Sequence, residues 1–90
     1  MVMWQVFVSR DVQDFLAKQD KQVEKRLRKG LKRLICDNPF HYLEHLESKG
    51  YYKFRLGDYR ALVDIDFTSQ SINIQVLDHR DIIYKKYRIN

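Results

Sequence analysis

Three cations on two neighbouring strands are the residues whose types and spacing best fit chemistry on a phosphate group. Residues 51 to 66 alternate between apolar and polar side chains on both sides of Gly57, which predicts two strands joined by a tight turn. A two-residue turn places Arg55 directly opposite Arg60, and Lys53 lies two residues along the same face. Because like charges at opposed positions destabilise a sheet, the cluster predicts an external anion as its partner.

The composition favours one small soluble domain with a polyanionic partner. The chain has 90 residues, of which 44% are hydrophobic, enough for one modest core. Its 17 Lys and Arg outnumber its 12 Asp and Glu and give a net charge of +5. It contains no run of 18 apolar residues, and its first residues lack the layout of a signal peptide. We therefore expect a single domain over residues 1–90, in the cytoplasm.

The histidine and cysteine pattern predicts neither a metal nor another cofactor. His41 and His45 are four residues apart, a spacing that can hold zinc on a helix, but no third ligand is evident. Cys36 is the only cysteine, so an internal disulfide is excluded. It lies among apolar helix positions, and we expect a buried structural thiol.

Hydrophobic spacing predicts the elements that position the basic cluster, in the order β-α-α-β-β-β of an α+β domain. Ser9 and Asp20 are the expected N-caps of two helices, and Asp37-Asn38-Pro39 is expected to end the second. Residues 40–50 show no clear period and are expected to form a connector, and residues 80–90 form a short basic tail or helix. The apolar positions that define the helices and the flanking strands are Trp4, Val6 and Val8; Val12, Phe15 and Leu16; Val23, Leu27, Leu31, Leu34 and Ile35; and Ile72, Ile74 and Val76.

The third predicted strand separates a core face from a basic face. Its core side chains are expected to be Tyr59, Ala61, Val63, Ile65 and Phe67. Arg60 lies on the other face with Lys53 and Arg55, so we expect the cluster on an open sheet surface, away from the helix pair.

A second group of cations suggests contacts along a nucleic-acid backbone. The segment from 21 to 33 is strongly basic, which fits either a solvated helix face or a phosphate-tracking surface. The candidate RNA-binding residues are Lys25, Arg28, Lys29 and Lys32 in this segment, together with His79, Lys85 and Lys86.

Two segments resemble the signature stretches of the RelE family, within the RelE/ParE superfamily of toxin–antitoxin modules. One is Tyr52-Lys53-Phe54-Arg55-Leu56-Gly57-Asp58-Tyr59-Arg60, and the other is His79-Arg80-Asp81-Ile82-Ile83-Tyr84. The element order is also similar, so the resemblance covers nearly the whole chain. It implies an endoribonuclease that cleaves messenger RNA in the ribosomal A site without a metal, by attack of the substrate 2′-hydroxyl on the adjacent phosphate.

The resemblance also implies a catalytic set and a protein partner. The matching positions are Lys53, Arg55, Arg60, Arg80 and Tyr84. The expected partner is an acidic antitoxin that covers the basic site, and the expected targets are the ribosome and its messenger RNA. Arginine at position 55, where the family has a basic residue capable of proton transfer, keeps the charge but stays protonated. Asp81 beside Arg80 is a further departure.

The residues suggest roles for this chemistry and leave alternatives open. Arg55 and Arg60 are placed to hold the phosphate and its developing charge. Crowding by arginines favours Lys53 as a base, and Tyr84 is placed either to transfer a proton or to stack on a base. Pairing of Arg60 with Asp78, or of Arg55 with Asp58, would instead make these arginines structural.

Two other functions fit the same resemblance. A ParE-like protein would inhibit DNA gyrase without cleaving RNA. A degenerate family member would only bind RNA or an antitoxin.

Overall fold

The computed structural model describes residues 4–36, 39–46 and 50–89, with the side chains of 35, 36 and 39 also left out. The predicted end of the second helix at Asp37-Asn38 and the predicted burial of the Cys36 thiol lie outside this description. The elements in chain order are β1 Gln5–Val8, α1 Arg10–Lys18, α2 Lys21–Leu31, α3 Arg33–Cys36, a 3-10 turn Pro39–His41, β2 Leu43–Leu46, β3 Tyr51–Leu56, β4 Tyr59–Asp66, β5 Ser71–His79 and α4 Arg80–Tyr87.

The strands form one five-stranded sheet in the order β1-β5-β4-β3-β2. β1 runs parallel to β5, and the other neighbours are antiparallel. The helices carry the chain from β1 at one edge of the sheet to β2 at the opposite edge. The α+β prediction is confirmed. Both predicted caps are present, since Ser9 accepts a hydrogen bond from the Val12 N–H at 3.2 Å and Asp20 accepts one from the Val23 N–H at 3.0 Å.

The main core lies between one face of the sheet, the core face, and the helices α1 to α3. α1 contributes Val12 and Leu16, and the strands contribute alternate residues such as Phe54 and Ile74, all almost completely buried. Gly30 lies where α2 meets the sheet, and a Cβ atom there would press on the end of the Leu56 side chain.

The opposite sheet face, the site face, carries a smaller apolar cluster under α4. Leu62 from β4, Ile83 from α4 and Ile89 after α4 are buried there, and Tyr51 and Tyr87 pack against them. The prediction of an open basic face is therefore wrong in part. The tail folds into a helix and covers the middle of that face, because its own apolar residues need a surface to bury.

Three further predictions need correction. Residues 40–50 were expected to form a connector, but Leu43–Leu46 form the edge strand β2. The second helix was expected to continue to Ile35, but it ends at Leu31, with Lys32 as its C-cap, before the short α3 begins. Phe67 was expected in the core, but it lies in the turn after β4 and is 61% exposed. It stacks on Phe40 at a centroid distance of 5.8 Å.

Candidate functional site

Arg60 is the centre of the basic cluster and is a buried cation. Its position on the central strand β4, under α4, leaves it only 3% exposed. Its Nε donates to the Tyr84 hydroxyl at 3.0 Å, and its Nη1 donates to the carbonyls of Gly57 and Tyr59. Among the residues that the structure describes, no carboxylate forms an ion pair with Arg60, and these hydrogen bonds hold its charge in place.

Tyr84 lies over the cluster and is polarised by it. The hydrogen bond from Arg60 lowers the pKa of the Tyr84 hydroxyl below its usual value near 10, and the charges of Arg60 and Lys53 add to this effect. Lys53 Nζ lies 5.3 Å from the centre of the Tyr84 ring, and Arg60 Cζ lies 5.8 Å from it. Two cations therefore converge on one phenol and stabilise its ionised form.

Lys53 has an anionic neighbour that the sequence did not reveal. Its Nζ lies 2.8 Å from Glu44 Oε2, on the edge strand β2. Lys53 lowers the pKa of the Glu44 carboxyl through this hydrogen bond and through its charge. Glu44 lies opposite Lys53 in the strand register, so recognition of β2 in the sequence would have revealed the pair.

Arg55 lies directly opposite Arg60, as the hairpin spacing predicted. It is exposed, whereas Arg60 is buried. The alternative in which these arginines are structural ion pairs predicted contacts with Asp58 and Asp78. Among the described residues, no ion pair joins Arg55 to Asp58 or Arg60 to Asp78, and Asp78 instead accepts a hydrogen bond from the His79 N–H at 2.7 Å. Arg55 thus adds an exposed charge beside the buried one.

His79 and Arg80 lie where β5 ends and α4 begins. His79 caps the helix, because its Nδ1 accepts from the Asp81 N–H at 3.3 Å. This acceptor role assigns the proton of the neutral ring to Nε2. The Arg80 N–H donates to the Asp58 carbonyl at 2.8 Å, which holds the start of α4 against the hairpin turn. The Arg80 guanidinium is about half exposed and lies 3.9 Å from Asp81, so its charge is only weakly offset.

The remaining candidate cations fall on two different sides of the sheet. Lys85 and Lys86 are exposed on α4, on the side of the Arg60 cluster. The four candidates on α2 are Lys25, Arg28, Lys29 and Lys32. That helix packs on the core face, so the fold does not bring them to the cluster. Arg28 also forms an ion pair with Glu24 at 2.9 Å.

The arrangement supplies two parts of a phosphate-transfer site. Arg60, Arg55 and Lys53 provide positive charge on one strand pair, where a phosphate can be held and its developing charge stabilised. Tyr84 provides an oxygen that is easier to deprotonate than an ordinary phenol. Within the described part of the chain, no three His, Cys, Asp or Glu side chains form a group able to hold a metal ion. No helix among these residues is long and apolar enough to cross a membrane.

Several solved structures of RelE toxins have a fold similar to that of this chain. An archaeal RelE–RelB complex from Pyrococcus horikoshii is similar with a TM-score of 0.71 and 24% identity, over 88% of this chain and 97% of that one. A RelBE toxin–antitoxin complex from Mycobacterium tuberculosis has a TM-score of 0.68 and 21% identity, over 88% of this chain and 100% of that one. A mutant of the E. coli toxin RelE in the free state has a TM-score of 0.70 and 14% identity, over 99% of this chain and 100% of that one.

At the level of sequence the chain has no comparable match. No protein-family model matches it, and no curated protein does. The likeness lies in the arrangement of helices and strands, and it covers nearly the whole chain. The protein has the fold of the RelE toxins.

Proposed function

We propose that this protein is the toxin of a type II toxin–antitoxin module and acts as a ribosome-dependent, metal-independent endoribonuclease. The observation that supports this most directly is the buried Arg60, which holds Tyr84 by a 3.0 Å hydrogen bond and forms no ion pair with a carboxylate of the described residues. A fold gains little stability from burying such a cation. The signature segments that resemble the RelE family, and the RelE toxin fold, support the same reading.

In the proposed reaction the scissile phosphate lies against Arg60 and Arg55. The ribose 2′-oxygen attacks phosphorus, the bond to the 5′-oxygen breaks, and a 2′,3′-cyclic phosphate and a 5′-hydroxyl result. The two arginines stabilise the negative charge that grows on the non-bridging oxygens. Burial fixes the Arg60 guanidinium in advance, so little reorganisation is needed during the reaction.

Tyr84 is the proposed base, in preference to Lys53. The phenolate of Tyr84 takes the proton of the 2′-hydroxyl, and its lowered pKa makes this form more accessible near neutral pH. Lys53 is paired with Glu44 at 2.8 Å, an arrangement that suits a charge-stabilising role. Arg80, or His79 in its protonated imidazolium form, is the proposed proton donor to the 5′-oxygen as it leaves.

The proposed partners are a cognate acidic antitoxin, the ribosome and its messenger RNA. The exposed cations Arg55, Lys85 and Lys86 give the site face a positive rim that suits an acidic protein segment or an RNA strand. The similar structures include toxin–antitoxin complexes from Pyrococcus horikoshii and Mycobacterium tuberculosis. An antitoxin that covers Tyr84 would block the proposed base directly.

The test is translation of a defined message in vitro, with the 5′ ends of the RNA mapped after addition of the protein. We expect cuts at fixed codon positions on ribosomes, at the Mg²⁺ concentration that translation itself needs, and no cuts in free RNA. Inhibition of gyrase without cuts would support the ParE-like alternative. The absence of both effects, with binding of RNA or antitoxin retained, would identify a degenerate member.

A further inference from the structure

A cavity of about 300 Å³ lies beside the Arg60 cluster, between the end of α4 and the strands β3, β4 and β5. Tyr51 and Tyr87 line it, and Leu62 and Val76 give it an apolar surface. Both tyrosines are half-buried, so each is held in place while part of its ring stays accessible. The volume is at the lower end of the range for small-molecule sites, and aromatic walls of this kind suit a flat ring.

The polar residues of the cavity are Asp64 and Gln75. Both side chains are exposed, and neither makes a hydrogen bond to another described residue. Gln75 lies at an irregularity in the sheet, since the register passes from Leu62↔Val76 to Val63↔Ile74 and leaves Gln75 without a partner on β4. Bulges of this type often redirect a side chain beside a functional site.

The bulge is fixed by the start of α1. The Ser9 hydroxyl donates to the Gln75 carbonyl at 2.8 Å, and the Ser9 N–H donates to the Ile74 carbonyl at 3.0 Å. The N-cap of α1 thus stabilises the strand geometry that places Gln75 and Val76 at the same cavity. This satisfies the backbone of the bulge and leaves the Gln75 amide group available for a ligand.

On three elements, the cavity lies two or three residues from the proposed phosphate site. Leu62 is two residues from Arg60 on β4, and Tyr51 is two residues from Lys53 on β3, a separation of about 6.6 Å along a strand. Tyr87 is three residues from Tyr84 and so projects from a neighbouring position on α4. This separation matches the reach from a phosphate to the base of the nucleotide that bears it.

We propose that the cavity binds the nucleobase of the nucleotide whose 3′-phosphate lies on Arg60, and that it prefers guanine. This inference rests on the proposed function, and it assigns the base selectivity of that site. The Tyr51 and Tyr87 rings stack on or enclose the base. The Asp64 carboxylate accepts hydrogen bonds only, and the Watson–Crick edge of guanine offers it two adjacent N–H donors. The same edge of uracil offers one N–H donor between two carbonyl oxygens, and the carboxylate would repel these oxygens.

The test is binding of guanosine 3′-monophosphate and uridine 3′-monophosphate to the intact protein, followed by NMR. We expect guanosine 3′-monophosphate to bind roughly tenfold more tightly, the scale of one good two-point contact to a base, and to shift the ring signals of Tyr51 and Tyr87. Asp64→Asn should bring the affinity ratio close to one. Asp14→Asn, which removes the same charge from the exposed surface of α1, should leave the ratio unchanged.

Equal binding of the two nucleotides would overturn the inference, as would shifts confined to Tyr84, or no binding at all. Cleavage on ribosomes is measured separately with the same preparations. If the protein cleaves but shows no guanine preference that Asp64→Asn removes, the base site is refuted and the proposed function stays intact. A guanine preference that depends on Asp64, in a protein that does not cleave, would support the base site and refute the nuclease.

Discussion

The two faces of the sheet are built for different purposes. On the core face, apolar residues from β3, β4 and β5 meet the helices in a continuous cluster around Leu16, Phe54 and Ile74. On the site face, the buried apolar residues are Leu62, Ile83 and Ile89, and a buried arginine lies beside them. One face therefore supplies most of the hydrophobic stabilisation, and the other displays charge.

This division explains how a small domain tolerates a buried, unneutralised cation. Arg60 is held by the Tyr84 hydroxyl and by backbone carbonyls, which accept hydrogen bonds from its Nε and Nη1. Its charge remains available to an anion, since no acidic side chain within the described ranges forms an ion pair with it. The core face provides the stability that such an arrangement requires, and the predictions below separate the two contributions.

The largest expected effect is on the core face. Phe54→Ala should lower the free energy of unfolding by about 3–5 kcal/mol, because a fully buried aromatic ring is replaced by a cavity. Ile83→Ala on the site face should cost less, about 2 kcal/mol, since its cluster is smaller and better able to relax. Urea titrations of both variants measure the difference. A larger loss for Ile83→Ala would reverse the proposed division of roles.

The next effect is on catalysis and its pH dependence. Tyr84→Phe should reduce single-turnover cleavage about 100-fold, the scale of general-base catalysis. In the proposed mechanism the phenolate is the active form, and the Arg60 hydrogen bond lowers the pKa of the Tyr84 hydroxyl below its usual value near 10. The rate should therefore rise with pH, with its midpoint at a lower pH than the titration of an ordinary tyrosine. An equal rise in Tyr84→Phe would exclude this hydroxyl as the base.

A smaller effect is expected at the ion pair on the edge of the site. Glu44→Gln should strengthen RNA binding roughly two- to fivefold, the scale of one ion pair near the surface, since it removes a negative charge that lies 2.8 Å from Lys53 Nζ. The salt dependence of binding should become steeper. Glu24→Gln is the matched control, because Glu24 pairs with Arg28 at 2.9 Å on the other side of the sheet. A weaker complex for Glu44→Gln would contradict this role.

The smallest effect concerns stability alone. Hydrogen bonds from the Ser69 N–H, then from the Ser69 side chain and the Thr68 N–H, lower the pKa of Asp66 below 3.8. A depressed folded-state pKa adds stability above the unfolded value, which is lost as the pH falls through the folded value. Asp66→Asn should therefore flatten the loss of stability below about pH 4, measured as urea midpoints at pH 7 and pH 3. If Asp66→Asn loses as much stability between pH 7 and pH 3 as the unmodified protein, the stability of the turn does not depend on this carboxylate.

The sequence predicted the hairpin well because its signals are local. The alternation around Gly57 gave the Arg55–Arg60 pairing that the register confirms, and Ser9 and Asp20 act as the expected caps. Turn and cap preferences depend on residues only a few positions apart. The catalytic roles assigned to these residues stay predictions until activity is measured.

The sequence-based predictions were wrong where other parts of the protein pack against both sides of an element. In β2, Leu43 packs towards the core face and Leu46 towards the cluster under α4. The strand therefore lacks the alternation of a half-buried strand. The burial of Arg60 was missed for a related reason, since it depends on the docking of α4 across the sheet. Neither the Glu44–Lys53 pair nor the cavity beside Tyr87 follows from spacing along the chain.

The most direct test of the central claim is single-turnover cleavage of a ribosome-bound message by Arg60→Ala and Arg60→Lys. Both variants are compared with Arg10→Ala, which removes an exposed charge at the start of α1. We expect Arg60→Ala to cleave at least ~100-fold more slowly, Arg60→Lys to recover only part of the rate, and Arg10→Ala to cleave normally. Near-normal cleavage by folded Arg60→Ala would contradict the proposal that the buried arginine holds the scissile phosphate.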